Sequence, residues 1–364
     1  MINLLIGIIS LMLVIIMFYI NGKAYLKLFS FFNVRKKLYW FIYVFSHISI
    51  LFLVAVPNKH IQLTAYFYMG FFVYYCMFNI VCLIIELLPI KVFREKLFTR
   101  IMEPLKIVLV IILIIYGNIN FKNIVLTEYT IMTDKITKDM NIVVIADIHL
   151  GKQIGSTQIR YIVERINNLN PDMVLIVGDT FDLDVSNVRD LDKVVYELKK
   201  LETVYGTFAV LGNHDLYRNN LELNTFFLDS DITLLEDEIY EFNNITIIGR
   251  KDVQPIDRLN WSRKEISELM VDIDPNRFVI VMDHQGDGQR DAIRNNVDLL
   301  LNGHTHNGQI FPGNLIVELI NKVGYGHRRF ENTDIVVTSG VSYWGPPIRI
   351  GTVSEIVLIR LIAG

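Results

Sequence analysis

The sequence predicts an α/β domain with its strands at the centre, following an N-terminal bundle of about four transmembrane helices. Three observations predict it. Hydrophobic residues make up 52% of the 364 residues, with a positive mean hydropathy, which points to a membrane part beside a globular one. Charge is split unevenly: residues 1–119 carry 11 Lys and Arg against 3 Asp and Glu, so the rest nets −11 within a total of −3. Beyond residue 140, short runs rich in Val, Ile and Leu alternate with helical patterns, as in a domain whose strands are buried on both faces.

Residues 1–119 form the transmembrane region, with spans expected at 2–20, 38–56, 63–88 and 105–119. Each approaches or exceeds the roughly 17–25 residues needed to cross a hydrocarbon core as a helix, the fourth only marginally. The first span has no basic stretch ahead of it and no small-residue cleavage site, so it reads as an uncleaved anchor. Lys23, Lys27, Arg35, Lys36 and Lys37 lie between spans one and two. Lys91, Arg94, Lys96 and Arg100 lie between spans three and four, with Lys106 just inside the last. The intervening loop has only Lys59, and Lys122 stands nearly alone after span four. Positively charged loops resist translocation, so loops one and three are expected in the cytoplasm and the acidic domain outside it, in a multi-pass protein of the cell membrane. That placement requires the fourth span to cross.

Cys76 and Cys82 both fall in span three, which leaves the globular part without a thiol. Cysteine nucleophiles and zinc-thiolate sites are therefore excluded there. His47 in span two and Asn79 in span three are polar groups at membrane depth. The expected role is a hydrogen bond from His47 to Asn79 or to a backbone carbonyl, holding helices together. Glu86 reads as interfacial.

Residues 120–140 are a polar connector with an entry strand at about 124–132, and 141–364 form the globular domain. Strands are expected at 141–146, 173–177, 208–211, 278–282 and 299–301, and helices at 157–169, 187–201, 221–228, 263–271 and 289–295. Five motifs follow those strands in order: Asp147-Ile148-His149, Gly178-Asp179, Gly212-Asn213-His214-Asp215, Asp283-His284 and Gly303-His304-Thr305-His306. Of six histidines beyond residue 120, five sit in these motifs. Any one of them reads as an ordinary turn. Loops at the carboxyl ends of strands in open α/β sheets converge, so the five together make one cleft of oxygen and imidazole donors.

This ordered set resembles the calcineurin-like metallophosphoesterases, over essentially all of residues 141–361. It is similar in particular to their membrane-anchored bacterial branch, through Asn302-Gly303-His304-Thr305-His306-Asn307-Gly308-Gln309-Ile310-Phe311-Pro312, Thr338-Ser339-Gly340 and Pro346-Pro347-Ile348-Arg349. The resemblance implies a four-layer αββα metallophosphoesterase sandwich holding two divalent metal ions (Mn, Fe or Zn). Asp147, His149 and His306 would bind the first ion, Asn213, His284 and His304 the second, and Asp179 would bridge them beside a shared hydroxide. His214 would protonate or stabilise the leaving group, with Asp215 orienting it. The donor chemistry agrees, because imidazole suits these ions better than Mg²⁺ or Ca²⁺.

The family's usual Pro after the fourth-motif histidine is missing. In its place stands Gln285-Gly286-Asp287-Gly288, whose two glycines imply a more mobile loop. Asp182 is expected to orient a loop or ligand. His327, beside Arg328 and Arg329, reads as a solvated basic patch or an anion contact, and Arg349 as a candidate phosphate contact. Tyr343 and Trp344 either line the cleft or close the sandwich.

The function expected is a membrane-anchored, metal-dependent phosphoric ester hydrolase. Its substrate would be a small-molecule or lipid-linked phosphate ester or pyrophosphate, membrane lipid or cell-envelope material among them. The alternative is a non-catalytic metal-containing sensor or ligand-binding module at the membrane surface. A transporter is disfavoured by spans with few polar residues, and nucleic acid as a partner by the net −11 of the domain.

Overall fold

The computed structural model describes residues 2–29, 35–56, 58–87, 96–215, 220–253 and 262–364. The chain divides into two units, one formed by residues 1–119 with 345–348, the other by 120–344 with 349–364.

The first unit contains helices α1 (Ile2–Phe29), α2 (Lys36–Leu53), α3 (Lys59–Leu87) and α4 (Lys96–Lys122). Two stretches among the described residues, Lys59–Glu86 and Ile101–Lys122, are long and apolar enough to cross a membrane, and Leu11–Leu26 is a shorter apolar segment. A bundle of four equivalent spans is thus narrowed to two clear candidates. The one read as marginal from 105–119 is among them, because its helix begins nine residues earlier and runs to Lys122. Lys91 and Arg94 of the third loop, and the last residue of the span expected to end at 88, lie outside the described residues.

Apolar side chains face outward on these helices, with Leu11, Ile15, Phe41, Phe45, Ile112 and Ile115 all exposed, while Tyr39, Tyr43, Tyr74 and Tyr75 are buried. That inversion suits a hydrocarbon surround. His47 Nδ1 lies 2.7 Å from Tyr43 O, the carbonyl alternative, whereas Asn79 donates to Asn21 Oδ1 at 2.9 Å and accepts from Lys106. Lys106 also pairs with Glu103 at 2.8 Å, and both are buried. Two opposite charges three residues apart on one helix face neutralise each other, which lowers the cost of placing either in an apolar medium.

The second unit is a mixed α/β fold of two six-stranded sheets with helices. The first sheet uses β1 (Ile124–Thr133), β2 (Met140–Ile145), β3 (Met173–Val177), β4 (Thr207–Val210), β5 (Ile232–Leu234) and β12 (Ser354–Ala363), in the order β1-β12-β2-β3-β4-β5. The second uses β6 (Glu238–Phe242), β7 (Ile245–Gly249), β8 (Phe278–Met282), β9 (Leu299–Asn302), β10 (Gly326–Phe330) and β11 (Thr333–Val337), in the order β10-β11-β9-β8-β7-β6. The central strands β2, β3 and β4 run parallel, as do β7, β8, β9 and β11.

Every residue of β3 and β8 is buried, which only a strand covered on both faces shows. Alternate side chains enter different cores, following the two-residue period of a strand. Val144, Leu175 and Phe208 of the first sheet meet Ile247, Ile280 and Leu301 of the second in one cluster. On the outer face of the first sheet, Val143, Val174 and Ile176 pack against α5 (Ser156–Asn167), α6 (Leu191–Leu198) and α7 (Asn220–Asp229). Val279, Val281 and Leu300 pack under α8 (Ile266–Leu269) and α9 (Gln289–Arg294) on the other. A last helix, α10 (Gly313–Ile320), has no buried residue.

Candidate metal centre

The carboxyl ends of five parallel strands carry the site. Asp147 follows β2, Asp179 follows β3, Asn213 follows β4, His284 follows β8 and His304 follows β9, each by two or three residues. The ladder continues past β2 and β3, with Asp147 N–H donating to Gly178 O at 3.1 Å and His149 N–H to Asp179 O at 3.0 Å. The second sheet is tied likewise, Gly303 N–H donating to His284 O at 3.0 Å.

Five of the expected ligands, Asp147, His149, Asp179, His304 and His306, sit at positive φ between 48° and 67°. Residues other than glycine seldom adopt that left-handed region, and a run of them is backbone strain concentrated where side chains must turn inward. Gly178 has φ +78°, and a Cβ there would come within 2.5 Å of His284 Nδ1, so only glycine fits.

The side chains gather in three overlapping groups. Asp147, His149 and His306 form one, Asp179, His284 and His304 another, and His149, Asp182 and His214 a third, with ligand atoms inside each group within 4.8 Å of one another. His149 Nε2 and His306 Nε2 face each other at 3.1 Å, and their rings stack at 5.1 Å. His306 Nε2 is 3.5 Å from Asp147 Oδ1, and Asp179 Oδ2 lies 3.2 Å from His284 Nε2 and 3.8 Å from His149 Nε2. Asp179 therefore stands between the two outer groups.

Burial sets the electrostatics. It lowers His149 to about 3 and His306 well below its ordinary value, with the charge of Arg349 adding to both; His304 falls to about 4 for the same first reason. Neutral imidazoles are what a metal ion needs. Asp147 is raised to about 7 by burial, with the charge of Asp179 adding to it. Burial alone would raise Asp179 too, but His284 first, then His149 and His214, hold it below the carboxylate range.

The donors present fit divalent ions. Asn213 Oδ1 is a buried atom without a hydrogen-bond partner, and the buried His284 Nε2 faces the Asp179 carboxylate at 3.2 Å. Stranding an atom like Asn213 Oδ1 costs about 1–3 kcal/mol unless something accepts its lone pairs. His284 Nδ1 donates to Val177 O at 2.8 Å, so Nε2, the nitrogen facing Asp179, is the one a metal ion would take in place of a proton.

His214 joins through its backbone, whose N–H donates to Asp179 Oδ1 at 2.8 Å, while its ring lies 5.2 Å from that of His149. The carboxylate nearest its Nδ1 is that of Asp182, at 3.9 Å. Asp215 has a different geometry: it is fully buried and accepts from the backbone N–H groups of Phe181 at 2.7 Å, Gly212 at 2.8 Å and Thr180 at 3.3 Å. It thereby clamps the loops after β3 and β4 together, which is how a side chain without reach to His214 still sets that residue's place.

Several expectations are revised. Arg349 has no exposed surface and spends its guanidinium on the carbonyls of Ser339, Ser342, Val353 and His306, so it braces the His306 loop rather than meeting a phosphate. The fourth-motif glycines do not loosen their loop. Residues Gly286–Gly288 form one turn of 3₁₀ helix, and a Cβ on Gly288 would collide with Asp283, itself paired with Arg250 at 2.9 Å and with Arg263. His327 Nε2 sits 2.7 Å from Asp334, and Arg328 and Arg329 pair with Glu318 and Asp334. Tyr343 is buried against Phe121, whereas Trp344 is half-exposed and 5.5 Å from the His214 ring. Gly340, named above only as part of the tail that carries the resemblance, has φ +79°, and a Cβ there would lie 2.7 Å from Asp147 Cβ.

Residues 140–308, which contain every motif, match the sequence profile of the calcineurin-like phosphoesterases. An Aquifex aeolicus metallophosphoesterase is 30% identical over 239 residues, and this chain covers 90% of it. The chain belongs to the calcineurin-like phosphoesterase family.

Relatives within this calcineurin-like family extend the likeness to the first unit. A metallophosphoesterase of Campylobacter jejuni is 29% identical over 354 residues, covering 93% of both chains. A zebrafish (Danio rerio) protein described as a transmembrane protein with metallophosphoesterase domain is 30% identical over 274 residues, 71% of this chain and 62% of that one. These names and the two apolar helices together indicate membrane association.

Proposed function

We propose that this calcineurin-like phosphoesterase is a multi-pass membrane protein that hydrolyses a phosphate ester or pyrophosphate, lipid-linked or from the cell envelope, outside the cytoplasm. The observation that carries the hydrolytic reading is the buried, partnerless Asn213 Oδ1 beside Asp179, His284 and two facing imidazoles, with His214 standing next to them.

Two divalent ions would be held by Asp147, His149 and His306 on one side and Asn213, His284 and His304 on the other, with Asp179 shared. When bound, such ions polarise a phosphoryl oxygen and generate a nucleophile from water at neutral pH. The chain supplies the rest. His214 turns Nδ1 toward Asp182, which leaves Nε2 to hold a proton for the departing alkoxide. Asp215 and Arg349 keep the ligand loops in register. Trp344 gives the mouth of the cleft an apolar wall.

The test is a panel of phosphomonoesters, phosphodiesters and lipid pyrophosphates assayed with the full chain in Mn²⁺, Zn²⁺ and Mg²⁺. Metal-dependent turnover of at least one class, abolished by chelation, is expected. A chain that takes up metal at the site yet turns over none of them is a sensor or binding module instead.

A further inference from the structure

Helix α10 is the one helix of the second unit, among the described residues, that buries nothing. Its outward face carries Leu315, Ile316, Leu319 and Ile320, with exposures of 53%, 55%, 84% and 75%. The spacing i, i+1, i+4, i+5 puts all four on one stripe, while Val317 faces the domain, packed closely enough on Gly324 that a Cβ there would lie 2.8 Å from it. Four aliphatic residues in contact on a short helix are an apolar patch that water does not stabilise, and such patches mark membrane or protein contacts.

Lipid fits this face better than protein. The stripe itself is wholly aliphatic. A helix of eight residues is about 12 Å long and about 10 Å wide, so one face offers on the order of 10² Å², short of the roughly 800 Å² per partner that a stable protein interface buries. Its only charge, Glu318, is neutralised by Arg328 at 2.6 Å. The segment 321–330 that follows holds Lys322, His327, Arg328 and Arg329 and no acidic residue, the last three paired with Asp334 and Glu318 outside it. Phe311 and Trp344, both exposed, border the same loop, where Trp344 N–H donates to Gln309 Oε1 at 2.9 Å. Aromatic rings and basic side chains beside an aliphatic stripe are the composition of an interfacial helix.

We infer that α10 is a monolayer-docking helix: its Leu315, Ile316, Leu319 and Ile320 face enters the headgroup and acyl boundary of the bilayer in which the chain is anchored. A helix lying there sits about 5–10 Å into that boundary. Its N-terminus begins seven residues after His306, and Trp344 also flanks His214. The metal cleft would then open beside the lipid surface, within reach of a phosphate carried on a lipid.

The test needs no turnover, so its outcome is separate from whether the chain hydrolyses anything. Leu319→Cys and, as a control on an equally exposed apolar residue elsewhere, Val271→Cys are made in the full chain with Cys76 and Cys82 replaced by Ala. Each is labelled with an environment-sensitive dye and reconstituted in phosphatidylglycerol–phosphatidylethanolamine vesicles with or without brominated acyl chains. Leu315→Cys serves as a second reporter on the same stripe. Quenching several-fold stronger at 319 and 315 than at 271 is expected, and a Leu319→Glu substitution should abolish it at 315. Equal weak quenching at all three sites overturns the proposal. So does a dye response that follows protein-to-lipid ratio instead of bromination, which would assign the face to a second copy of the chain.

Discussion

His214 and Asp179 touch through one backbone bond of 2.8 Å, yet their removal should have different consequences. His214→Ala takes away a proton carrier and no ligand, so metal content should stay while turnover falls by about 10²- to 10⁴-fold. Metal analysis beside phosphodiester hydrolysis reads both, and unchanged hydrolysis would remove this role. Asp179→Asn withdraws the charge that lies between two groups of ligands, so occupancy of both ions should drop together. Full occupancy in that variant would count against a shared carboxylate. Arg349 is the third case, and sequence reasoning misassigned it because an arginine near a phosphoesterase cleft invites a phosphate. Burial decides otherwise: Arg349→Met would strand the carbonyls of Ser339, Ser342 and Val353, each at about 1–3 kcal/mol. Denaturant unfolding should show a loss of roughly 3 kcal/mol or more, with weaker metal uptake because His306 loses its brace. Arg349→Lys should rescue little of it, since one ammonium cannot reproduce a planar fork of donors.

At the level of elements, what was legible follows burial. The strands at 173–177 and 278–282 were read to the residue because both faces are covered, leaving an unbroken apolar run bounded by Gly178 and by Asp283. Strands β5, β6, β7 and β10 were not expected, and β7 is the exception to the rule, because every residue of it is buried. Strand β5 has three residues, and β6, Glu-Ile-Tyr-Glu-Phe at a sheet edge, is mostly exposed and carries no buried-strand pattern. The helix expected over 187–201 begins only at Leu191, because 185–187 is a 3₁₀ turn capped by Asp184. Helix α10 was invisible for a different reason, since an apolar run in a globular domain reads as core whether or not anything covers it. The ligand motifs were legible by residue type, but their left-handed backbone was not. That backbone makes Gly178 the sharpest probe of the strand end. Gly178→Ala forces a Cβ against His284 and strains φ +78°, so metal stoichiometry should fall while far-ultraviolet circular dichroism keeps its native shape. Native metal content in this variant would show that the loop after β3 has more room than its contacts imply.

Across the whole chain, the charge division is the feature that local structure does not explain. Eleven basic residues against three acidic ones in the first 119, and a net −11 thereafter, are an imbalance that pairing within either unit leaves unneutralised. They do order a membrane topology, because basic loops stay in the cytoplasm. The structure bears on the weak point of that reading, which was whether the fourth span crosses. Helix α4 is 27 residues long, about 40 Å at 1.5 Å per residue, and its Ile101–Lys122 stretch is apolar enough to span. Its buried charges do not forbid this, since Lys106 and Glu103 neutralise each other at 2.8 Å and Tyr75 donates to Glu103 at 3.1 Å. The expected topology therefore has the C-terminal domain outside the cytoplasm. Alkaline phosphatase, which folds only outside, should be active when fused after Gly364, and a green fluorescent reporter at the same place should be dark. Replacing Arg35, Lys36 and Lys37 together by Gln should shift some molecules toward the opposite orientation, visible as a rise in fluorescence against phosphatase activity. Strong fluorescence with silent phosphatase in the native sequence would put the metal cleft in the cytoplasm, and α4 would then have to return without crossing.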